Sequence, residues 1–403
     1  MRIFVSSVII FALVLCGAHA DDLFPNQGFR FNNRTVEFGF NAGGGFSNNL
    51  LTVADIFVEK IYLDLDSLNG GLKINAGINV TPFYFSINRN RWGVNFSVNM
   101  EAVGNIGLSN SLITFSEAVN EKSDAGLAVF SDASLDIFFH VKNFKFRIRP
   151  SVFYTAVYSK PDITYTFTTA GTTEVSIGYD ARVYTAVKID DLNNIQPNIN
   201  SLSATPGVDI GFGIEYPVSR AAGLYKRIAL FDFDVGVNVS NIPILASTMR
   251  HYMQMTGSAE MNGDTIEEFY NSLDTENFFS EPSYGEEKIV VERPFRTNLY
   301  INWRPLGNSV LTIIPNIGFS LNPMYLTPFS LEYGFKVRMD LANIFILSLG
   351  ANYEDRVWKN RADVALNFRV LELNIGAELR TNDFFKVTNT SGLGIYAGLK
   401  IGF

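Results

Sequence analysis

The chain has 403 residues, of which 47% are hydrophobic, 14% aromatic and only 18% charged. This composition excludes intrinsic disorder, which requires few aromatic residues and many charges. The formal net charge of −8 argues against wholesale binding of nucleic acid, which needs a basic surface. The length allows a large core or more than one ordinary domain.

The first twenty residues have the pattern of a secretory signal peptide. Arg2 supplies a positive charge, and the apolar run 3–15 that follows is shorter than the roughly 20 residues of a spanning helix. Ala18 and Ala20 form an A-x-A cleavage site, so we expect a signal at 1–20 and one mature domain at 21–403. A lipoprotein anchored at Cys16 is the alternative, and Leu15 before that cysteine disfavours it.

Cysteine and histidine are too scarce for most catalytic or metal chemistry. Cys16 is the single cysteine, and cleavage after Ala20 removes it, so disulfides and thiolate chemistry are excluded from the mature chain. His140 and His251 are its two histidines, and neither lies in a recognised catalytic motif. We therefore expect no enzyme, no cofactor and no metal site.

The mature chain is dominated by segments in which apolar and polar residues alternate. In 92–100, for example, Trp92, Phe96 and Met100 occupy one set of alternate positions, and Gly93 and Asn95 belong to the other. A strand sends successive side chains to opposite faces, so each such segment has one apolar and one polar face.

Alternation alone also fits a soluble antiparallel sandwich. Many of these segments exceed the five or six residues of ordinary strands, and their apolar faces are rich in aromatic residues. A sheet crosses a bilayer only as a closed barrel, with about 9–11 tilted residues per strand. The sequence therefore predicts a transmembrane, antiparallel, up-and-down β-barrel.

The number of strands is predicted from the same alternation. The segments give about 16 strands, an even number as bacterial single-chain barrels require, and 14 is the alternative if some segments are split or merged. The predicted strands are 34–46, 72–88, 92–103, 126–141, 144–158, 173–187, 207–217, 227–240, 247–258, 288–303, 309–321, 329–339, 342–353, 361–369, 371–380 and 392–403.

The lengths of the connections predict the orientation of the barrel. Short connections such as 89–91 and 142–143 alternate with long ones such as 47–71 and 259–287. Bacterial barrels place short turns in the periplasm and long loops outside, so both ends of the barrel chain are expected on the periplasmic side. The long connection 188–206 is the exception, because the count places it among the periplasmic turns.

The last strand carries the most specific motif. Tyr396, Gly398, Ile401 and Phe403 follow the pattern polar-x-Gly-x-x-hydrophobic-x-aromatic, in phase with a fully amphipathic strand. This resembles the terminal strand of bacterial outer-membrane β-barrel proteins. The resemblance implies an outer-membrane location, contact with outer-membrane lipid, and recognition of this strand by the barrel-assembly machinery.

Several long loops have helical spacing. Leu50, Val53, Phe57 and Ile61 share one helix face, as do Leu112, Phe115 and Val119. In the loop 259–287, Asp264 and Glu267 form a capping box before an apolar stripe. The candidate hydrophobic site in that loop consists of Phe269, Tyr270, Leu273, Phe278 and Phe279. Such faces pack on the rim, narrow the lumen, or capture an apolar ligand.

The size of the chain and its helical loops resemble the long-chain fatty-acid transporter type of barrel. That family has an N-terminal plug that enters the barrel. Residues 21–33, which precede the first predicted strand, are too short for a full plug. The resemblance implies uptake of hydrophobic molecules as one function of the fold.

The predicted inner face carries charges of both signs, which are the candidate determinants of ion selectivity. They are Lys73, Lys145, Arg147, Arg149, Asp209, Glu215, Asp232, Asp234, Glu332, Lys336, Arg338, Glu378, Arg380 and Lys400. Solvation or pairing of these wall residues is the alternative interpretation.

Three functions are compatible with the sequence. The first is a passive channel or transporter for small solutes, which predicts a polar, water-filled lumen. The second is uptake of hydrophobic molecules, which predicts an apolar pocket beneath the loops. The third is a surface adhesin or scaffold, in which the external loops bind a partner.

Overall fold

The structure is a computed structural model that describes residues 34–49, 71–109, 111, 118–168, 174–188, 202–218, 231–262, 281–381, 384 and 392–403. All eighteen named elements are β-strands, and they form one sheet. They are β1 (Val36–Asn48), β2 (Leu72–Asn88), β3 (Trp92–Leu108), β4 (Ala118–Val141), β5 (Phe144–Ser159), β6 (Asp162–Thr168), β7 (Glu174–Thr185), β8 (Gly207–Tyr216), β9 (Phe233–Leu245), β10 (Ser247–Asn262), β11 (Ser283–Val291), β12 (Phe295–Trp303), β13 (Leu311–Leu321), β14 (Phe329–Leu341), β15 (Phe345–Glu354), β16 (Val357–Asn367), β17 (Leu371–Thr381) and β18 (Gly392–Gly402).

The sheet closes on itself, and every pairing is antiparallel. β1 pairs with both β2 and β18, which joins the two ends of the barrel chain. The route through β4, β6, β7, β5 and β8 closes a ring of 16 strands, so the prediction of an antiparallel barrel of about 16 strands is confirmed. Because β4 also pairs directly with β5, the shorter route contains 14 strands.

The difference between 16 and 14 arises because some strands lie end to end. β5 and β6 both pair with β4 in nearly the same register, at Leu127↔Ser159 and Ser123↔Ile163. The pairs β7 and β8, β9 and β10, and β11 and β12 likewise follow one another along the wall. Counting each of these four pairs once reduces the 18 strands to 14 positions round the wall.

The wall is interrupted between β7 and β8. Thr185 at the end of β7 pairs with Val157, and Gly207 at the start of β8 pairs with Phe153, four residues away on β5. The chain thus leaves the wall at Thr185 and returns to it beside the same strand, four residues along β5. The described ends of the connection 188–206 therefore both lie beside β5 within the wall, whereas the sequence placed this connection among the periplasmic turns.

The two ends of the barrel differ in their connections. We call the end that holds Thr35 and Phe403 the turn end, since the short connections 89–91, 142–143, 342–344 and 368–370 lie there, together with the ends of the longer connection 217–232. The Thr35 amide donates to the Phe403 carbonyl (2.8 Å) and seals the first strand to the last. We call the opposite end, which holds the connections 49–71 and 263–282, the loop end.

The barrel is polar inside and apolar outside. Along β18, Ile395 is 71% and Phe403 76% exposed, whereas Tyr396 between them is only 4% exposed. Buried side chains include many carboxylates and guanidinium groups, such as Glu37, Asp234 and Arg380. An exposed apolar belt round a closed sheet is what a bilayer requires, because lipid solvates the side chains while the strands pair every backbone group.

Aromatic rings on the inner wall cover glycines of neighbouring strands. A Cβ added at Gly376 would collide with the ring of Tyr396, and one at Gly236 would collide with Tyr300. Each glycine therefore lets an aromatic ring lie flat against the wall. An aromatic ring that covers a glycine of a neighbouring strand stabilises the sheet at that position. Tyr396 of the terminal motif is thus an inward-facing packing residue.

Most predicted strands agree with those observed, and the main differences are four. The segment 288–303 is split into β11 and β12 at Pro294, which cannot donate to the sheet. The strand predicted at 227–240 is β9, Phe233–Leu245, and the strand predicted at 126–141 starts earlier, at Ala118. β6 was not predicted. Val119, assigned to a helical stripe, lies in β4 instead. The other proposed loop-helix residues lie outside the described residues. Among the described residues, no helix is long and apolar enough to cross a membrane.

Candidate functional site

The inner face of β4 and β5 changes from polar to apolar along the barrel. Alternation places Asp132 and Phe130 on the same face of β4, while Leu135 and Ile137 on the other face are exposed. The inner face is therefore charged towards the turn end and aromatic towards the loop end.

The apolar part forms a buried cluster inside the lumen, which we call the apolar cluster. It consists of Ala128, Phe130, Phe153, Tyr184, Met249, Val291 and Met324. The rings of Phe130 and Phe153 meet edge to face at 6.2 Å between centroids, and both side chains are 2% exposed. The apolar cluster thus gives the interior of the barrel an aromatic region at this level, whereas most other buried side chains are polar or charged.

A row of tyrosines extends the apolar cluster across the wall. Tyr158 pairs in register with Tyr184, and Tyr184 pairs with Tyr252. The rings of Tyr184 and Tyr252 lie 5.6 Å apart, and the Arg182 guanidinium lies 5.4 Å from the Tyr252 ring. The row gives the lumen an aromatic lining that ends where the wall is interrupted.

The segment 322–328, between β13 and β14, covers the apolar cluster from the loop end. We call it the mouth loop. Met324, only 2% exposed, packs within the cluster. On the opposite side, Lys160 donates to the carbonyls of Pro323 (2.9 Å) and Tyr325 (3.3 Å). The mouth loop therefore spans from β13 to the junction of β5 and β6 across the entrance.

Arg356 holds the mouth loop in place. Its guanidinium lies 4.4 Å from the centre of the Tyr325 ring and 3.4 Å from the Asp124 carboxylate. It also donates to the Thr327 carbonyl, and Asp124 accepts the backbone N–H of Leu326. Burial raises the pKa of the Tyr325 phenol, so this ring stays neutral while it packs beneath the guanidinium.

A polar cavity of about 50 Å³ lies between the apolar cluster and the turn end. It holds a few water molecules at most. Its lining is mostly polar and includes three guanidinium groups and one carboxylate. The lining residues are Asn79, Glu101, Arg147, Arg149, Gly211, Asn238, Val239, Ser240, Asn241, Pro294 and Arg296.

The predicted lumen charges nearest the turn end form ion pairs along the wall. Lys145 pairs with Glu215, and Lys400 lies 3.6 Å from Glu372. Arg304, in the turn after β12, binds Asp232 at 2.9 Å and Asp234 at 2.8 Å. The two aspartates are separated by one residue, so their side chains lie on the same side of the chain and one guanidinium group binds both.

Other predicted charges are paired further along the barrel. Glu378, 1% exposed, lies between Arg361 and Arg380 and accepts from both. Asp209 binds Arg293 at 2.7 Å. The remaining contacts join Arg147 to Asp136 at 2.8 Å, Arg149 to Ser134 at 3.2 Å, Arg338 to Asp340 at 3.8 Å and Glu332 to Arg296 at 4.0 Å.

The last two predicted charges lie on β2 and β14. Lys73 is exposed near the loop end of β2, and Lys336, half-buried on β14, interacts electrostatically with the Asp363 carboxylate. The structure thus brings most of the predicted charges into contact with opposite charges or polar side chains. Their role in ion selectivity stays a prediction.

Sequence reasoning missed the residues at the centre of the lumen. Arg293, Phe153 and Met324 were not among the predicted site residues, although Pro294 marks a break in a strand. The candidate hydrophobic site Phe269, Tyr270, Leu273, Phe278 and Phe279 lies outside the described residues, as do Ala18 and Ala20. Within the described ranges, no three His, Cys, Asp or Glu side chains are grouped as metal ligands.

Comparisons with known proteins identify the fold. No family profile matches the sequence, and no curated protein is similar to it. A structure described as a TodX deltaS2S3 mutant monoaromatic hydrocarbon channel is 8% identical and covers 94% of this chain and 92% of its own, with a TM-score of 0.50. The P. putida toluene transporter TodX has the same identity and coverage and a TM-score of 0.49. The translocator domain of autotransporter NalP from Neisseria meningitidis, also 8% identical, covers 94% and 91%, with a TM-score of 0.37.

The comparison with a TM-score of 0.50 and the apolar exterior together define the fold class. The chain has the fold of bacterial outer-membrane β-barrels, as its terminal strand indicated. At 8% identity the likeness concerns the fold alone.

Proposed function

We propose that this protein is a passive outer-membrane transporter for small, largely apolar molecules. The observation that carries the proposal is the apolar cluster inside a barrel whose other inner-wall residues are mostly polar. Aromatic rings in a lumen provide an apolar solute with a favourable binding position between the external medium and the periplasm. The likeness to a channel described as passing monoaromatic hydrocarbons supports this choice.

The orientation follows from the two ends of the barrel. We place the turn end in the periplasm and the loop end outside, since bacterial barrels have short periplasmic turns. In this orientation a solute meets the mouth loop and the apolar cluster first, and the polar cavity afterwards. Passage in this proposal is downhill, because a solute that diffuses along its concentration gradient needs no energy-coupling element.

The uptake of a labelled monoaromatic hydrocarbon by cells tests the proposal. The chain is expressed in a Gram-negative host without such a channel, and initial uptake is measured at low concentration against a sugar of similar mass. We expect faster hydrocarbon uptake with the wild-type chain. Phe153→Ala should reduce it, whereas Tyr154→Ala on the lipid-facing side of the same strand should not.

Two outcomes would favour other functions. Uptake of the sugar alone would indicate a polar-solute channel, which the polar cavity and charged wall would serve. No uptake of either by a folded barrel would overturn transport and favour a surface adhesin or scaffold. Binding of a partner by intact cells, abolished by deletion of 262–285, would then identify the loops as the active part.

We also propose that the protein is not an enzyme. His251 lies 3.5 Å from Glu286 on β11, and His140 lies on β4 near the turn end. The proposal rests on this separation of the two histidines on different strands. Hydrolysis of a phospholipid or peptide by the purified barrel, lost in His140→Ala or His251→Ala, would contradict it.

The terminal strand is proposed as the signal for the barrel-assembly machinery. Ile401 and Phe403 face outward, and Tyr396 and Gly398 face inward, so the motif presents both faces of β18. Phe403→Ser should lower the amount of assembled barrel in cells but leave refolding in detergent unchanged. Leu341→Ser, at the exposed end of β14, is the control.

A further inference from the structure

Arg293 occupies an unusual position in the wall. It lies in the break between β11 and β12, beside Pro294, and its side chain is 5% exposed. Pro294 interrupts the pairing of the strand, which turns the preceding side chain into the lumen.

The Arg293 guanidinium joins three other strands. It donates to Asp132 on β4 at 2.7 Å, to both oxygens of Asp209 on β8 at 2.7 and 2.8 Å, and to Ser151 on β5 at 2.6 Å. Ser151 also donates to Asp209. These charge-assisted bonds fix the guanidinium across the inner wall, with two carboxylates facing one cation. We call this group the Arg293 clamp.

The Arg293 clamp lies at the boundary between the two parts of the lumen. On the loop-end side, the guanidinium lies 5.0 Å from the Phe153 ring, and Val291 belongs to the apolar cluster. On the turn-end side, Pro294 and Arg149 line the polar cavity. A solute moving from the apolar cluster to the polar cavity therefore meets the clamp.

We propose that the Arg293 clamp is the gate between the apolar cluster and the polar cavity. With Arg293 bound to Asp132 and Asp209 the lumen is closed at this level, and transient release of the guanidinium opens it. This inference rests on the proposed function, since it assigns the step that limits passage. Removing either the guanidinium or the two carboxylates leaves clamp charges of one sign, so the ion selectivity of the variants tests the gate.

Single-channel recording in planar bilayers tests the gate. Wild-type, Arg293→Met and Asp132→Asn/Asp209→Asn proteins are refolded, and heat-modifiable mobility on gels verifies the folded state. We expect low conductance in wild type and a several-fold higher conductance in both variants. In a potassium chloride gradient, Arg293→Met should be cation-selective because two carboxylates remain. The double variant should shift towards anions because only the guanidinium remains.

Arg304→Met is the matched control, since Arg304 also binds two aspartates but lies in a turn at the barrel end. It should conduct like wild type. A folded Arg293→Met protein that conducts like wild type or like Arg304→Met would overturn the gate. If Arg293→Met fails to fold, the conductance and selectivity of the double variant decide in the same way.

This experiment is independent of hydrocarbon uptake. Hydrocarbon uptake by wild type without any ionic change in the variants would overturn the gate and leave the proposed function standing. Increased, charge-selective conductance in the variants without hydrocarbon uptake by wild type would overturn the proposed function and retain the gate.

Discussion

Glu378 shows how single residues hold the inner wall together. Its carboxylate accepts from Arg361 and Arg380, and all three side chains are almost fully buried. Removing one member of such a group leaves charges buried without compensation, which is far more costly than losing an exposed pair.

Glu378→Gln should therefore destabilise the refolded barrel by about 3–5 kcal/mol. Urea unfolding in detergent, followed by tryptophan fluorescence, measures the change. Glu286→Gln is the control, because Glu286 is 67% exposed beside His251 and should change stability by less than about 1 kcal/mol. Equal effects of the two substitutions would show that the Glu378 group contributes no more than a surface pair.

The glycine beneath Tyr396 makes a second prediction at this scale. Gly376→Ala places a methyl group against the Tyr396 ring, and the strain should cost about 1–3 kcal/mol. Gly398→Ala is the matched control on the next strand, since its nearest neighbours lie at an ordinary 3.5 Å. Thermal unfolding of both variants measures the difference, and a Gly376→Ala barrel as stable as wild type would contradict the packing role.

The sequence correctly predicted which face of a strand a residue occupies, but it did not predict which residues contact one another across the lumen. Alternation was enough to place Glu215 and Glu378 on the inner face, because parity along a strand needs only local sequence. It could not pair Arg293 with Asp132, which is 161 positions away in the chain. That contact depends on strand register and on the break at Pro294, and both are set by the closed ring.

The mouth loop is an element whose position depends on few contacts. Arg356 and Lys160 hold its carbonyls, and Asp124 accepts one of its amides. Arg356→Ala removes the contact with the Tyr325 ring and with Thr327. The remaining contacts should permit more frequent local opening.

We expect Arg356→Ala to speed amide exchange across 322–328 and to leave exchange in β13 and β14 unchanged. Hydrogen–deuterium exchange followed by mass spectrometry measures both. Arg369→Ala, in the exposed turn between β16 and β17, is the control. Unchanged exchange in the mouth loop would show that Met324, Lys160 and Asp124 hold it without Arg356.

Elements were predictable where the pattern was uninterrupted. β8 and β17 were predicted almost to the residue, because each alternates over its full length. The division of one wall position between β7 and β8 was not predictable, since both read as separate crossings. Only the registers on β5 show that they lie end to end.

The whole molecule reverses the polarity of a soluble protein. Aromatic and aliphatic side chains such as Phe38 and Ile375 lie outside, while buried ion pairs lie inside. Each buried pair contributes little net stability because desolvation offsets attraction. The barrel therefore depends on its closed hydrogen-bonded ring and on the surrounding lipid.

This reversal predicts that polar substitutions on the outer face destabilise the barrel most strongly in lipid. Ile375→Asn, on the lipid-facing side and 67% exposed, should destabilise the barrel in lipid vesicles more than in detergent. Asn374→Ala, the adjacent inward position, is the control. Folding equilibria in both media measure the difference, and equal effects in the two media would show that this position does not contact lipid.

The seal between Thr35 and Phe403 allows the order of the strands in the gene to be changed without changing the barrel. A circular permutant would join Phe403 to Thr35 through a short Gly-Ser linker and open the chain in the turn 342–344. Every strand keeps its neighbours, so the permutant should refold in detergent as a heat-modifiable barrel. In cells it should assemble poorly, because β14 rather than β18 would come last. The permutant thus separates the stability of the ring from the assembly signal that we propose for the final strand.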